Sequence, residues 1–220
     1  MAATVIPRSA GSSSSTSGSV RLGVYLVLAT WFLLVVILGV GGIFIGHQGE
    51  PPIAIGLGIA IPLLSFFAWL KFSPALRRFV IALDPRFVVA MQAWRWGGLG
   101  FLFLYAHNVL PAAFALPAGS GDMAIGISAP WILAALLRQP DFATSAAFAR
   151  WNVLGIIDLI VAISLGTLLA TLATGAPGEI STAPMASLPL LLIPVFFVPL
   201  FLMLHAIMLM QRREKIRDRA

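Results

Sequence analysis

Apolar residues fall in six runs separated by short polar or proline-containing breaks. The runs cover about 22–46, 53–70, 87–110, 121–138, 148–172 and 187–210. Each is close to the roughly twenty residues that carry a helix across a hydrocarbon core. Lipid offers no water to backbone N–H and C=O groups, so isolated runs of this length predict helices and not strands. The expected fold is all-α, an integral membrane bundle of six transmembrane helices filling 21–211. Ahead of it, 1–20 is a polar tail whose 11–19 portion, GSSSSTSGS, is low in complexity and expected to be disordered. Behind it, 212–220 is a basic tail. The first run is longer than the roughly 7–15 apolar residues of a signal peptide, and no small-x-small site ends it sharply, so it is read as an uncleaved span.

Glycine and proline qualify this pattern. Pro51 and Pro52 suit the start of the second helix, and Pro62 a kink within it. The segment 111–120 reads as an uncharged apolar loop, with a turn at 119–122 opening a short fourth span that Pro130 interrupts. Pro184, Pro189, Pro194 and Pro199 recur at every fifth position in and before the sixth run. Such breaks resemble the discontinuous helices of transporters, but proline is common in membrane helices generally, and ordinary kinked packing is the preferred reading. Gly42 and Gly46 form a GxxxG pair suited to close helix approach.

Composition agrees with the runs: 60% of residues are hydrophobic and 10% charged, against about 25% charged in a soluble domain. Mean hydropathy is +0.99 and the pI about 11.1. A basic pI invites a nucleic-acid reading, which the placement of the charges rejects. Of the 14 Lys and Arg, thirteen lie outside the apolar centres of the runs, the exception being Arg95. Arg8, Arg21, Lys71, Arg77, Arg78, Arg86, Arg138, Arg150, Arg212, Arg213, Lys215, Arg217 and Arg219 all fall on one side of a six-span topology. The loops on the other side hold none. The positive-inside rule then puts both termini in the cytoplasm. The lipid bilayer is the first partner, with anionic lipid at the basic loops. The absence of cysteine removes disulfides and thiolate metal sites.

The polar residues inside spans carry the candidate chemistry. Asp158 sits near the middle of the fifth run, where a carboxylate costs about 2.5–3.5 kcal/mol on insertion scales. It must be paired, uncharged or facing water. At about 1.5 Å of rise per residue, Arg95 lies at similar depth, His205 about two turns in, and Gln92 and Asn152 shallower. These five define an inner cluster in which Arg95 can pair with Asp158. Alternatively, Arg95 snorkels to the surface and Asp158 is buried uncharged or bonded to a hydroxyl. An outer cluster comprises His47 and Glu50 after the first span, His107 and Asn108 after the third, and Asp122 at the start of the fourth. This set has metal-ligating atoms but no ligand-type spacing, so no metal is expected, and Asp122 can equally be a helix cap.

Other chemistries fail on residue placement. His107 and His205 lie toward opposite faces, which rejects a haem bridge, and no cofactor is expected. Gly119, Gly121 and Gly126 follow no strand and lack a GK[ST] ending, so they are not a phosphate loop. No HExxH, paired intramembrane-protease aspartates or nucleophile–base set is visible, and no enzymatic activity is expected.

The stretches LPAGSGDMAIGISAP (116–130) and ARWNVLGIIDLIVAISLG (149–166) resemble segments of small multi-pass bacterial inner-membrane proteins of unassigned function. The likeness rests on Gly121, Asp122, Trp151, Asn152, Gly155 and Asp158. It implies a bacterial inner-membrane location and no particular activity. Two function classes follow. One is a small transporter or proton- or ion-coupled permease using Asp158 with Arg95 as counter-charge. The other is a non-catalytic scaffold or accessory subunit, homo- or hetero-oligomeric, whose polar residues lock helix register.

Overall fold

A computed structural model describes residues 12–47 and 49–219. Among them there is no strand, and six helical stretches are long and apolar enough to cross a membrane: Gly18–Val40, Ile53–Phe72, Pro85–Ala106, Ala112–Arg138, Ala146–Leu172 and Ile193–Arg217. Their outer faces are what a lipid-solvated protein requires. Ile37 is 65% exposed, Leu64 68% and Trp94 77%, a density of bare apolar side chains that water does not tolerate.

The helices are α1 (Ser12–Val40), α2 (Ile53–Phe72), α3 (Pro74–Ile81), α4 (Pro85–Gln92), α5 (Leu99–Ala106), α6 (Ala112–Arg138), α7 (Ala146–Leu172) and α8 (Val198–Arg217). A 3-10 turn, Ala93–Gly98, joins α4 to α5, and a π turn, Ile193–Phe197, leads into α8. α6 is the hub, packing against α4, the 3-10 turn, α5 and α7. α7 and α2 in turn pack on α8, while α1 lies at the edge against α3 and the π turn. The main core joins Val88 and Val89 of α4, Ile125 of α6, Phe148 and Leu159 of α7 and Met208 of α8.

The basic segments meet at one end of the bundle. Ser73 Oγ accepts the Leu76 N–H and caps α3, and Asp84 Oδ1 accepts the Arg86 N–H and caps α4. α3 turns Leu76 and Val80 inward and offers Arg77 to Glu214. Gln211 Nε2 donates to the Val80 and Leu83 carbonyls at 2.8 and 2.9 Å, closing the end of α3. Arg212 Nε donates to the Thr144 and Ser145 carbonyls, and Arg219 pairs with Asp141.

At the opposite end, Glu179 gathers the backbone N–H groups of Thr174 (2.9 Å) and Gly175 (2.7 Å) and the Thr174 hydroxyl. These bonds, the Thr174 N–H foremost, hold its carboxyl below the ordinary 4.5. A depressed carboxylate contributes stability above its unfolded value and loses it as pH falls through the folded one. The loop 174–179 is therefore expected to loosen only below pH 4.5. A carbon-detected titration of Glu179 should give a midpoint below that of an unfolded peptide; an equal midpoint would show the loop unformed.

Several sequence-based boundaries shift. Residues 111–120 are not a loop: α6 begins at Ala112 and runs unbroken through Pro117 and Pro130. Neighbouring helices can resatisfy the carbonyls a proline frees in a membrane span. The 11–19 stretch is helical from Ser12, continuing the apolar helix backward, while the rest of the expected disordered tail, 1–11, lies outside the described residues. α1 ends at Val40, and Gly42 takes φ +71° in the turn beyond it. The Gly42–Gly46 pair therefore lies past the helix, and nothing packs within 4 Å of a Cβ placed at Gly46. The sixth span starts at Ile193 and stays helical to Arg217, so most of the basic tail is helix.

Candidate functional site

Arg95 is drawn into the bundle by the 3-10 turn that carries it. Its side chain is fully buried. Nε donates to Asp122 Oδ1 of α6 at 2.7 Å, and Nη2 donates to Asp158 Oδ2 of α7. Nη1 donates to the Gly155 carbonyl of α7 at 3.3 Å and faces His205 Nε2 of α8 at 3.1 Å. One guanidinium thus links four of the six spans. Arginine's planar fork suits this arrangement because its donors point in fixed, divergent directions.

The surrounding bonds assign the histidine tautomer. Asn152 Nδ2 donates to the Phe148 carbonyl at 2.8 Å, which leaves its Oδ1 to accept from His205 Nδ1 at 2.9 Å. His205 Nε2 then offers its lone pair to Arg95. Trp151 packs edge-on to the imidazole with centroids 5.5 Å apart and donates through Nε1 to Ser128 Oγ at 2.8 Å. The ring of Phe201 lies 5.9 Å from the guanidinium carbon.

Glycines make room for these side chains. A Cβ at Gly121 would strike the Asp158 carboxylate, and one at Gly155 the His205 ring. At Gly126 it would meet the backbone of Arg95 and Trp96. At Gly98 it would come within 2.6 Å of the Asp122 Cβ and 2.7 Å of the Gly119 carbonyl oxygen. The charges are paired inside the bundle because the backbones there approach without side chains between them.

Of the inner candidates, the structure brings Arg95, Asn152, Asp158 and His205 into one network. Gln92 is also fully buried, but neither end of its amide has a hydrogen-bond partner among the described residues. The outer five do not converge. Asp122 was grouped there because 111–120 read as a loop; with α6 starting ten residues earlier, it lies deep in the helix, on Arg95, and is no cap. His107 Nδ1 bonds its own helix at the Phe103 carbonyl, and Asn108 adopts φ 56° in the turn after α5. His47 and Glu50 lie 3.6 Å apart on the exposed end of the α1–α2 connection. Sequence reasoning also missed the Gly155 carbonyl and the Trp151–Ser128 bond. The uncharged run before Asp122 was the available signal for its depth.

Asp122 has a second neighbourhood. A cleft of about 1050 Å³, counting its open mouth, runs between α2, α7 and the start of α8, with Asp122 in its lining. Its walls are apolar, among them Phe101, Phe114, Leu159 and Ile163, and His47 and Glu50 stand at its polar end.

A family model described as a domain of unknown function, DUF8737, matches residues 52–212. The chain belongs to this family. No curated protein and no solved structure matches it. The DUF8737 region covers α2 to most of α8 and so contains every member of the Arg95 network, while α1 lies outside the match. The six positions that carried the sequence resemblance, Gly121, Asp122, Trp151, Asn152, Gly155 and Asp158, all surround Arg95 or His205.

Proposed function

We propose that this is a bacterial inner-membrane protein, with both termini cytoplasmic, that carries a proton or a small charged solute through the Asp122–Arg95–Asp158 unit. The observation that supports it is that Asp122 belongs at once to the buried ion-pair network and to the cleft. Two carboxylates share one guanidinium, so the unit carries one negative charge until a proton or cation joins it. That imbalance lets the site exchange a charge while keeping its framework. The reading includes no catalysis: both ring nitrogens of His205 are engaged, by Asn152 and Arg95, so this imidazole serves the network and not a nucleophile.

Orientation rests on the gathering of basic residues at one end, which we place against anionic headgroups in the cytoplasm. A periplasm-dependent alkaline phosphatase fused after residue 220 should be inactive in a bacterial host, and one inserted at 176–178 should be active. The reverse pattern would invert the topology.

The transport reading is tested in proteoliposomes with an internal pH dye. Wild-type protein should dissipate an imposed proton gradient faster than protein-free vesicles, and Asp158→Asn should fall to background while keeping its unfolding temperature. The engagement of Arg95 with four spans supports a second reading, a non-catalytic scaffold or accessory subunit held by a charged clasp. On that reading wild type shows no flux and Asp158→Asn fails to assemble.

A further inference from the structure

The cleft's chemistry narrows what can occupy it. Among the described residues no Lys or Arg lines it, and the charged lining residues are Asp122 and Glu50, with His47 beside the latter. Arg95 cannot serve an anionic ligand, since its side chain is fully buried behind the two acids it already holds. Asp122 gives one oxygen to Arg95, and its Oδ2 accepts no hydrogen bond from the described residues. A wholly apolar occupant would dry that carboxylate without a partner, which costs free energy. A small polar cation would leave the apolar walls uncovered. The rings of Phe101 and Phe114, edge to face at 5.5 Å, add surfaces that attract positive charge.

We propose that the cleft between α2, α7 and α8 binds a monovalent organic cation with an apolar body, its charged group at Asp122. The inference deepens the transport reading and rests on it for the role of the Asp122–Arg95–Asp158 unit. The cation supplies the charge that balances the unit, and its body covers the walls.

The test uses tetraphenylphosphonium and the full chain in nanodiscs of neutral lipid, by equilibrium dialysis with empty nanodiscs subtracted. One saturable site per chain is expected. Asp122→Asn should weaken it by about tenfold or more. Ala170→Trp, which adds bulk to the cleft wall away from Arg95, should weaken it while the unfolding temperature holds. This second variant keeps the test decisive if Asp122→Asn does not fold. The proposal is overturned if no protein-dependent site appears, if Ala170→Trp binds like wild type, or if neutral dodecanol competes as well as the cation, which would mark a groove for acyl chains. Binding without proton flux leaves this inference standing and removes the transport reading. Flux without binding removes this inference alone.

Discussion

Replacing Arg95 with glutamine is expected to cost about 3–5 kcal/mol of stability, the usual penalty for removing one member of a buried ion pair. In a small membrane domain this should appear as loss of folded protein from the membrane fraction. The substitution removes the partner of Asp122 and Asp158 together and leaves two carboxylates facing each other across a low-dielectric core. It also strips the donor from the Gly155 carbonyl and from His205 Nε2. Neutralising the whole set should reverse most of the damage, because removing every charge leaves none unpaired. The triple variant Arg95→Met, Asp122→Asn, Asp158→Asn should therefore accumulate far better than Arg95→Gln. Unfolding of the purified proteins, followed by tryptophan fluorescence, makes the comparison. A triple variant as unstable as Arg95→Gln would show that geometry, and not charge balance, holds the clasp. A stable triple variant that still passes protons would remove the permease reading.

The second large effect is expected at Gly126. In Gly126→Ala the new methyl would sit 2.6 Å from the Arg95 carbonyl carbon and 2.8 Å from the Trp96 Cα. These are backbone atoms, so no rotamer change relieves the clash, and α6 must move away from the 3-10 turn. The expected loss is about 3 kcal/mol, at the upper end of overpacking costs. The separation also pulls Asp122 from Arg95, so any proton flux should fall with stability. Gly100→Ala is the control: nothing lies within 4 Å of its added methyl. There, the gain in helix propensity, at most about 1 kcal/mol, is the sole expected effect. Equal destabilisation by both variants would refute the close approach at Gly126.

The helical class and the six apolar helices were legible without coordinates because the bilayer imposes length and hydropathy on each span separately. So was the need of Asp158 and Arg95 for partners inside the bundle, since a charge inside an apolar run is conspicuous. The grouping of Asp122 was misread for a definable reason. Two prolines and seven small residues across 111–121 resemble a loop by the rules of soluble proteins, whereas in lipid the same composition continues a helix and gives it a thin flank. Gln92 shows the reverse: three residues before Arg95 it shares that residue's helical neighbourhood, yet its amide has no hydrogen-bond partner among the described residues and remains outside the network.

What the chain determined by itself is therefore the count and kind of its spans, the segregation of basic residues between loops, and the presence of one base, Arg95, and one acid, Asp158, that lipid alone could not solvate. These are local properties, written in runs and in single residues. Only the tertiary structure decided that Asp122 joins Asp158 on the same guanidinium, that glycines at 98, 121, 126 and 155 stand where polar side chains and backbones must pass, and that a cleft reaches Asp122. The physical reason is that hydropathy sets where a helix sits along the membrane normal, but leaves its rotation and its neighbours free. Those are chosen by close packing and by the cost of an unpaired charge, which exist only once the helices are side by side.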